Sequence, residues 1–328
     1  VEYELLSASL TTEEALMDGA SAIHEEGKKN CASDFKVERG DVEEAFKGAH
    51  KTFEETYQTQ MAHQAYIEPT GVMGHWKDDG TVTVWGPLQS PFTVREYMLG
   101  PGLHLPEDKI QVIQTRSGGA FGGKLDVKLL LIAAFLSREA KRPVQVLLTP
   151  EEDLSTMRPR VPARFHIRSA FAKDGKLLGK IVDVTADNGA YCSFSPAIAS
   201  SMAVRTDSLY KTPNVLVTGR LTYTNTEPSG QFRGFGNLQA SFCWESHLDT
   251  VAEGLGMDPI DLRMRNFTEP GETTVHGWRI STCGIRECVE KVAESIGWHE
   301  KRNTNGPNGS ATIRGVGLAC TIHVTSNS

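Results

Sequence analysis

The stretch GGAFGGK at residues 118–124 places four glycines around one phenylalanine and ends in a lysine. It follows the strand-like run KIQVIQTR at 109–116 and precedes the apolar run LLLIAAFL at 129–136. A glycine-rich turn that leads from a strand into a helix exposes unpaired backbone N–H groups, which suit a phosphate or another oxyanion. The alternative interpretation is a tight turn that only lets the strand and the helix pack, and the loop alone does not decide between them.

The lysine at the end of this loop raises the hypothesis of a nucleotide site. Gly118, Gly123 and Lys124 fit the first part of a Walker A pattern, but Leu125 stands where that pattern needs Ser or Thr to hold Mg²⁺. The GxGxxG pattern of dinucleotide-binding folds is absent from this loop and from a second glycine-rich loop further along the chain. The sequence therefore disfavours both a P-loop-like nucleotide-binding protein and a Rossmann site.

The composition of the 328-residue chain also excludes several classes of protein. Lys and Arg are outnumbered 34 to 41 by Asp and Glu, which disfavours a nucleic-acid or anionic-membrane partner. Six cysteines without a CxxC pair match neither a zinc ribbon nor a ferredoxin-type cluster. The sequence shows no signal peptide and no run of about twenty apolar residues. We therefore expect a cytoplasmic protein without nucleic-acid or membrane partners.

Strand and helix patterns alternate along the chain without an internal repeat, which predicts a mixed α+β fold. A turn at Asp174 and Gly175 predicts a β-hairpin over 164–187. Residues 124–141 are apolar on three sides and predict a deeply buried helix. The stretch NCASDFKVERG at 30–40 predicts an irregular crossing rather than a regular element.

The second glycine-rich loop, EPSGQFRGFGNLQ, occupies residues 227–239. A strand pattern at 214–225 precedes it, and apolar residues at helical spacing follow it over 238–256. Two glycine-rich loops, each between a strand and a helix, are the unusual feature of this chain.

Four linked motifs follow one another in the sequence: HQAYIEP at 63–69, VWGPLQSP at 84–91, GGAFGGK at 118–124 and QFRGFGNLQ at 231–239. Together they resemble the large molybdenum-binding subunit of the xanthine dehydrogenase and aldehyde oxidase family of molybdenum hydroxylases. Their order and spacing agree with that family over nearly the whole chain, and the linked motifs are more specific than either loop alone. The resemblance implies a mixed α+β molybdenum-cofactor-binding domain.

The resemblance also implies a domain organisation. Residues 1–33 correspond to the tail of a preceding hammerhead-like domain and a linker, residues 34–268 to the first molybdopterin-binding domain, and residues 269–328 to the truncated start of a second one. The chain has no initiator Met and closes on an apolar, strand-like run. We therefore expect a partial chain or one subunit of a split enzyme.

The family's cofactor is a molybdopterin, often the cytosine dinucleotide form in bacteria. Carried over by motif position, Gln89 would hydrogen-bond the apical oxo group of the molybdenum, Phe121 and Arg233 would also lie in its second coordination shell, and Phe235 would contact the substrate ring. The implied cofactor-binding residues are Gln89, Gly119, Phe121, Gly122, Gly123, Arg233 and Gly234.

Each of these side chains also has a structural interpretation. Gln89 alone is typical of a strand-end amide, Arg233 of a surface ion pair, and Phe121 and Phe235 of a core. Because the four motifs occur together, we favour the functional roles. His63 and Glu68 are instead expected to form a buried hydrogen-bonding pair that supports the site.

Departures from the family pattern bear on the substrate. Purine-oxidising members carry a Glu directly after the lysine of the first loop and an Arg upstream of the second loop, where this chain has Leu125 and, by ungapped counting from Arg233, Ser201. Phe235, Leu125 and Ser201 are therefore the implied substrate residues, with one pocket wall made apolar, which disfavours xanthine. The second loop also lacks the copper-binding cysteine of carbon monoxide dehydrogenases. An aldehyde and an aromatic N-heterocycle both remain open.

In the family, a glutamate near the end of the subunit acts as the catalytic base, and such a group has to lie within hydrogen-bond reach of its proton. We expect no catalytic residue in this chain, because that glutamate belongs downstream of residue 328. The isolated chain is therefore expected to be an inactive half of the site. The implied partners are a second molybdopterin-binding subunit or the missing C-terminal part, together with [2Fe-2S] and FAD subunits that carry electrons away. The alternative is a non-catalytic scaffold or interaction module with the same fold.

Overall fold

The computed structural model describes residues 2–25, 28–125, 127–207, 209–303 and 315–323. Its strands form two separate sheets, one of five strands and one of four. The nine strands are β1 (Cys31–Arg39), β2 (Lys51–Thr59), β3 (Gly71–Trp76), β4 (Val82–Gly86), β5 (Ile110–Gln114), β6 (Val144–Leu147), β7 (Ala163–Phe171), β8 (Leu177–Gly189) and β9 (Asn214–Tyr223). Each glycine-rich loop leaves a different sheet, since the first follows β5 and the second follows β9.

The helices lie between these strands and after them. They are α1 (Thr12–Leu16), α2 (Val42–Lys47), α3 (Pro91–Thr93), α4 (Gly100–Leu103), α5 (Leu129–Ala140), α6 (Pro150–Thr156), α7 (Ser195–Arg205), α8 (Asn237–Leu255), α9 (Pro259–Asn266), α10 (Ile285–Ile296) and α11 (Trp298–Asn303). A π-helical segment, Val94–Leu99, joins α3 to α4, and short 3₁₀ turns span Lys28–Asn30 and Glu107–Lys109. Along the described residues, no helix is long and apolar enough to cross a membrane.

The large sheet has the strand order β1-β9-β8-β7-β2, and only β8 and β9 run parallel. One face packs on α7, α8 and α9 around Phe165, Val182, Met202 and Trp244, which are nearly inaccessible to solvent. The opposite face carries charged side chains and the short helices α1 and α2. Burial of this apolar face supplies the main driving force for the fold.

The small sheet has the order β5-β4-β3-β6, with β4 and β5 parallel. Helix α5 covers one of its faces, with Leu130, Ala133 and Ala134 fully buried. The predicted deep burial of this helix is only partly correct, because Ile132 and Leu136 remain 45% and 48% exposed. A helix that covers a single sheet packs with one face only, whereas its sequence is apolar on three.

The predicted hairpin at 164–187 is confirmed as β7 and β8, with a positive φ of 83° at Gly175 in its turn. The predicted irregular crossing at 30–40 is wrong, because residues 31–39 form β1 at the edge of the large sheet. Eight of its residues pair with β9, which lies almost two hundred positions away in the sequence. A strand that pairs with such a distant segment carries little sign of its conformation in its own residues.

His247 of α8 ties that helix to two strands of the large sheet. Its Nδ1 lies 2.8 Å from Glu55 of β2, and its Nε2 lies 2.7 Å from the hydroxyl of Ser169 of β7. Burial lowers the pKa of this imidazole below its usual 6.5, although Glu55 acts in the opposite direction. The neutral ring can donate to Glu55 and accept from Ser169, so the native state favours the uncharged form.

We therefore expect the chain to lose stability as the pH falls below 6.5, because the unfolded state binds a proton at His247 that the native state does not. The stabilising contribution is complete above that pH and decreases until the pH reaches the lowered native pKa. Urea denaturation at several pH values measures this slope. His247→Gln should make this slope less steep, because it removes the imidazole that the native state holds uncharged.

Candidate functional site

The first glycine-rich loop rests on residues 62–69, which we call the platform segment. An added Cβ would meet the Glu68 side chain at 2.6 Å from Gly118, and the Tyr66 side chain at 2.9 Å from Gly119 and at 2.8 Å from Gly123. The glycines at these positions therefore admit the platform segment itself.

Lys124 is the buried centre of the contact between the loop and the platform segment. Its ammonium group is fully buried, 2.6 Å from the Glu68 carboxylate and 4.4 Å from the centre of the Tyr66 ring. Burial raises the pKa of Glu68, but hydrogen bonds from Lys124 and from the Gly118 N–H outweigh it, so the pKa lies below its usual value. Because its ammonium group is engaged in this way, Lys124 is unsuited to bind a nucleotide phosphate.

The predicted buried pair of His63 and Glu68 is wrong. Glu68 bonds Lys124 and Gly118, whereas His63 accepts a hydrogen bond at Nδ1 from the Ala65 N–H at 2.9 Å. The His63 ring packs at a tilt against Tyr66, and burial lowers its pKa. Both residues still belong to the platform segment, but they act on different neighbours.

Each of the two loops has strained backbone at its phenylalanine. Phe121 and Phe235 adopt left-handed φ angles of 52° and 48°, and a glycine of positive φ follows each of them, Gly122 and Gly236. Left-handed backbone is unfavourable for a bulky residue, and such outliers cluster at ligand and active sites. Phe121 is also 49% exposed. The two loops therefore share a left-handed phenylalanine that is followed directly by a glycine of positive φ.

The two loops lie directly against each other. The Arg233 N–H donates to the Phe121 carbonyl at 2.9 Å, and an added Cβ on Gly122 would lie 2.7 Å from the Gln231 carbonyl oxygen. The buried Gln64 side chain of the platform segment also donates to that Gln231 carbonyl, at 2.7 Å. Gly122 is therefore required by the contact between the loops, which brings the backbones of residues 121–122 and 231–233 together.

Gln89 joins this arrangement from the turn after β4. Its side-chain oxygen accepts hydrogen bonds from the Gly122 N–H at 2.8 Å and the Lys124 N–H at 3.3 Å. Its own backbone N–H donates to the Lys124 carbonyl at 3.0 Å. Among the described residues, the side-chain NH₂ group has no acceptor, and the residue is exposed. The loop thus fixes Gln89 with its donor group available to a ligand.

The structure brings the predicted cofactor residues together on the two loops and the turn beside them. They are Gln89, Gly119, Phe121, Gly122, Gly123, Arg233 and Gly234. Of the predicted substrate residues, Phe235 is partly buried against the large core, and Ser201 lies on α7 next to Met202, which contacts Gly236. Leu125 continues the first loop, and its N–H donates to the Gly122 carbonyl at 3.3 Å.

Three residues that support the site were not assigned to it from the sequence; Gln64 lies within the HQAYIEP motif, and the other two lie outside the motifs. Gln64 bonds the second loop, and the buried Asp153 accepts hydrogen bonds from the Tyr66 hydroxyl and the Thr70 N–H, each at 2.7 Å. Arg160, just before β7, donates to the Arg233 carbonyl at 3.1 Å. A capping box of Thr149 and Glu152 begins the helix that carries Asp153, but this local pattern does not indicate the burial of the Asp153 carboxylate.

Within the described ranges, no group of three or more His, Cys, Asp or Glu side chains could hold a metal ion. The donors at the site are instead backbone groups and the Gln89 amide. Such groups suit a polar organic cofactor that brings its own charge, because oriented amides bind anions and polar edges well.

These loops and their fold define a molybdopterin-binding protein. The family model described as the molybdopterin cofactor-binding domain matches residues 23–267. The chain therefore belongs to this family, within the molybdenum hydroxylases of the xanthine dehydrogenase and aldehyde oxidase type, as the sequence motifs predicted. The predicted fold class is confirmed with it.

Several similar proteins are named as oxidoreductases. The chain is 37% identical over 295 residues to the nicotinate dehydrogenase large molybdopterin subunit of Eubacterium barkeri, covering 90% of this chain and 69% of that protein. It is 34% identical to the xanthine dehydrogenase molybdenum-binding subunit of Escherichia coli O157:H7, covering 100% of this chain and 43% of that protein. The solved aldehyde oxidoreductase from Desulfovibrio gigas superposes with a TM-score of 0.87 at 26% identity, over 93% of this chain and 34% of that one.

Proposed function

We propose that this chain is part of a molybdenum hydroxylase that oxidises an aromatic N-heterocycle or an aldehyde, with water as the source of oxygen. It would supply about half of the molybdenum-pterin site. The observation that carries this proposal is the pair of strained loops, clamped together beside the available NH₂ group of Gln89. Family membership alone would leave a non-catalytic scaffold open.

The residues present fit a molybdenum-pterin group. Gln89 would donate a hydrogen bond to an oxygen atom on the metal, while the backbone at Phe121, Gly122 and Arg233 would line the metal and the pterin. When bound, the cofactor supplies the redox chemistry, accepting two electrons from the substrate carbon as that carbon gains oxygen. The protein's own part is to hold donors in place, which costs no reorganisation during the reaction.

For the substrate, we favour an aromatic N-heterocycle. The relative at 37% identity is named for nicotinate, an aromatic heterocycle, and the aldehyde oxidoreductase fold keeps an aldehyde as the second candidate. Leu125 offers an apolar side chain where a purine-oxidising site has a carboxylate, and Ser201 offers a small hydroxyl where such a site has a cation. A purine would therefore bind poorly at this site, because some of its polar groups would lack hydrogen-bond partners.

The rest of the site would come from elsewhere. We propose that residues 34–268 form the first molybdopterin-binding domain, between the tail of a hammerhead-like domain at 1–33 and the start of a second molybdopterin-binding domain at 269–328. A second polypeptide or segment would provide the glutamate base and the remaining pterin contacts. Partners with [2Fe-2S] clusters and FAD would remove electrons, and the pterin would take the cytosine dinucleotide form.

Co-expression with the downstream polypeptide tests this proposal. We expect the purified complex to contain molybdenum and pterin in equal amounts, measured by elemental analysis and by fluorescence of the oxidised pterin. It should hydroxylate members of a panel of pyridines, quinolines and aldehydes with an artificial electron acceptor. A fully assembled complex without molybdenum or pterin would instead establish the scaffold alternative.

A further inference from the structure

We propose that Arg160 is a positioning residue for the molybdenum-pterin site: it holds the Arg233 backbone so that a chain of amides orients the Gln89 NH₂ group. This inference rests on the proposed function. It concerns an arginine outside all four sequence motifs, whose side chain reaches the cofactor loops from the segment before β7.

Arg160 is attached to the second loop by several contacts. Its Nη2 donates to the Arg233 carbonyl at 3.1 Å, and its guanidinium carbon lies 4.2 Å from the centre of the Phe232 ring. Its Nη1 donates to the Gln239 side chain at 3.4 Å, at the start of α8. The planar guanidinium thus holds one backbone carbonyl and one aromatic ring at the same time, a geometry that a lysine cannot reproduce.

The backbone of Arg160 is anchored as well. Its N–H donates to the Ala62 carbonyl at 2.8 Å, and the residue forms an isolated β-bridge with Gly230. The side chain is half-buried, and burial lowers the pKa of the guanidinium below its usual value. Arg160 is therefore held between the platform segment and the second loop, with its donors directed at the latter.

From Arg233 the contacts continue to Gln89 through one peptide group. The Arg233 N–H donates to the carbonyl of the peptide that joins Phe121 to Gly122, at 2.9 Å. The N–H of that same peptide donates to the Gln89 side-chain oxygen at 2.8 Å. Both polar ends of the peptide are thus used, and the Gln89 amide continues the chain to its own NH₂ group.

Amides connected in this way polarise one another, which strengthens each hydrogen bond by about 10–30%. The terminal NH₂ of Gln89 gains in donor strength and in fixed direction. Loss of the Arg160 side chain would release the Arg233 carbonyl and the Phe232 ring, so the loop could shift relative to Phe121. Small displacements of a group that contacts the reacting centre reduce rates strongly.

The test uses the loaded complex with Arg160→Met and Arg160→Lys. Arg164→Met is the matched control, because Arg164 lies on β7 only four residues further, is half exposed and pairs with Glu13. We expect Arg160→Met to lower kcat by about tenfold with KM little changed, because the substrate site itself is not touched. The Mo(V) electron paramagnetic resonance spectrum should change as well. Arg160→Lys should recover only part of kcat, and Arg164→Met should match the wild type.

A double-mutant cycle with Gln89→Ala separates positioning from general destabilisation. If Arg160 acts through Gln89, the effects on kcat are less than additive, because the second substitution removes a group already misplaced. Additive effects, or an unchanged kcat and spectrum in both Arg160 variants, would overturn the inference. If the Arg160→Met complex does not assemble, the same double-mutant cycle is measured with Arg160→Lys. A wild-type complex without cofactor would refute the proposed function and this inference together, whereas the other outcomes address Arg160 alone.

Discussion

Replacement of Gly122 by alanine is expected to separate the two loops and to lower kcat/KM of the loaded complex by about 10²-fold. The added Cβ would lie 2.7 Å from the Gln231 carbonyl oxygen and 2.9 Å from its carbon, and both atoms belong to backbone that cannot rotate away. The φ of 109° at Gly122 adds strain for any other residue. The bond from the Gly122 N–H to Gln89 should weaken at the same time, so molybdenum and pterin content should fall too.

Gly271 provides the control for this substitution. Its φ of 96° is similarly positive, but an added Cβ would meet no atom within 4 Å. Gly271→Ala therefore imposes the backbone strain, about 1–2 kcal/mol, without the collision. Cofactor content and kcat/KM should be those of the wild type. If Gly122→Ala and Gly271→Ala retain equal cofactor content and activity, the close contact of the loops has no bearing on the cofactor.

Local patterns predicted much of the fold. Capping boxes begin α1 and α6, and the Asp174–Gly175 turn forms its predicted hairpin. These signals depend on residues close together in the sequence, whose preferred conformations agree with the final structure. The fold class followed from the four motifs.

Strand β1 shows what local patterns could not supply. Its inward residue Phe35 fits against β9 only because residue 219 is a glycine, where an added Cβ would lie 2.0 Å from the ring. The charged residues between its apolar positions face the opposite side of the sheet. The partner strand thus provides the space and the hydrogen bonds, and neither can be read from residues 30–40 alone.

Part of the candidate site was likewise predictable from the sequence, and part of it was not. Motif positions located Gln89, Phe121 and Arg233 on one surface, but they did not reveal which atoms hold these residues in place. The missing Cβ of Gly122 makes room for the second loop, a contact that the motif positions did not indicate. Arg160 gave no signal, because a lone arginine near a proline is typical of many surfaces. Contacts between segments far apart in the sequence decide these roles.

Removal of the Glu68 side chain is expected to destabilise the folded chain by about 2–4 kcal/mol, because it leaves the buried Lys124 ammonium ion without its counter-ion. The pair is asymmetric, since the Lys124 side chain is fully buried whereas that of Glu68 is 35% exposed. Urea denaturation of Glu68→Ala measures the loss. Glu227→Ala is the control, because Glu227 pairs with Lys128, only four residues after Lys124, at 3.5 Å and with both partners partly exposed. That pair should contribute at most about 1 kcal/mol.

The double variant Glu68→Ala with Lys124→Met identifies the source of this loss. If an uncompensated buried charge is responsible, replacing the lysine with an apolar side chain of similar length should restore most of the stability that Glu68→Ala removes. If the hydrogen bond from the Gly118 N–H to Glu68 matters more, the double variant should remain as unstable as Glu68→Ala. The first result would establish that the lysine of GGAFGGK serves the loop's attachment to the platform segment. Equal stability of Glu68→Ala and Glu227→Ala would contradict that role.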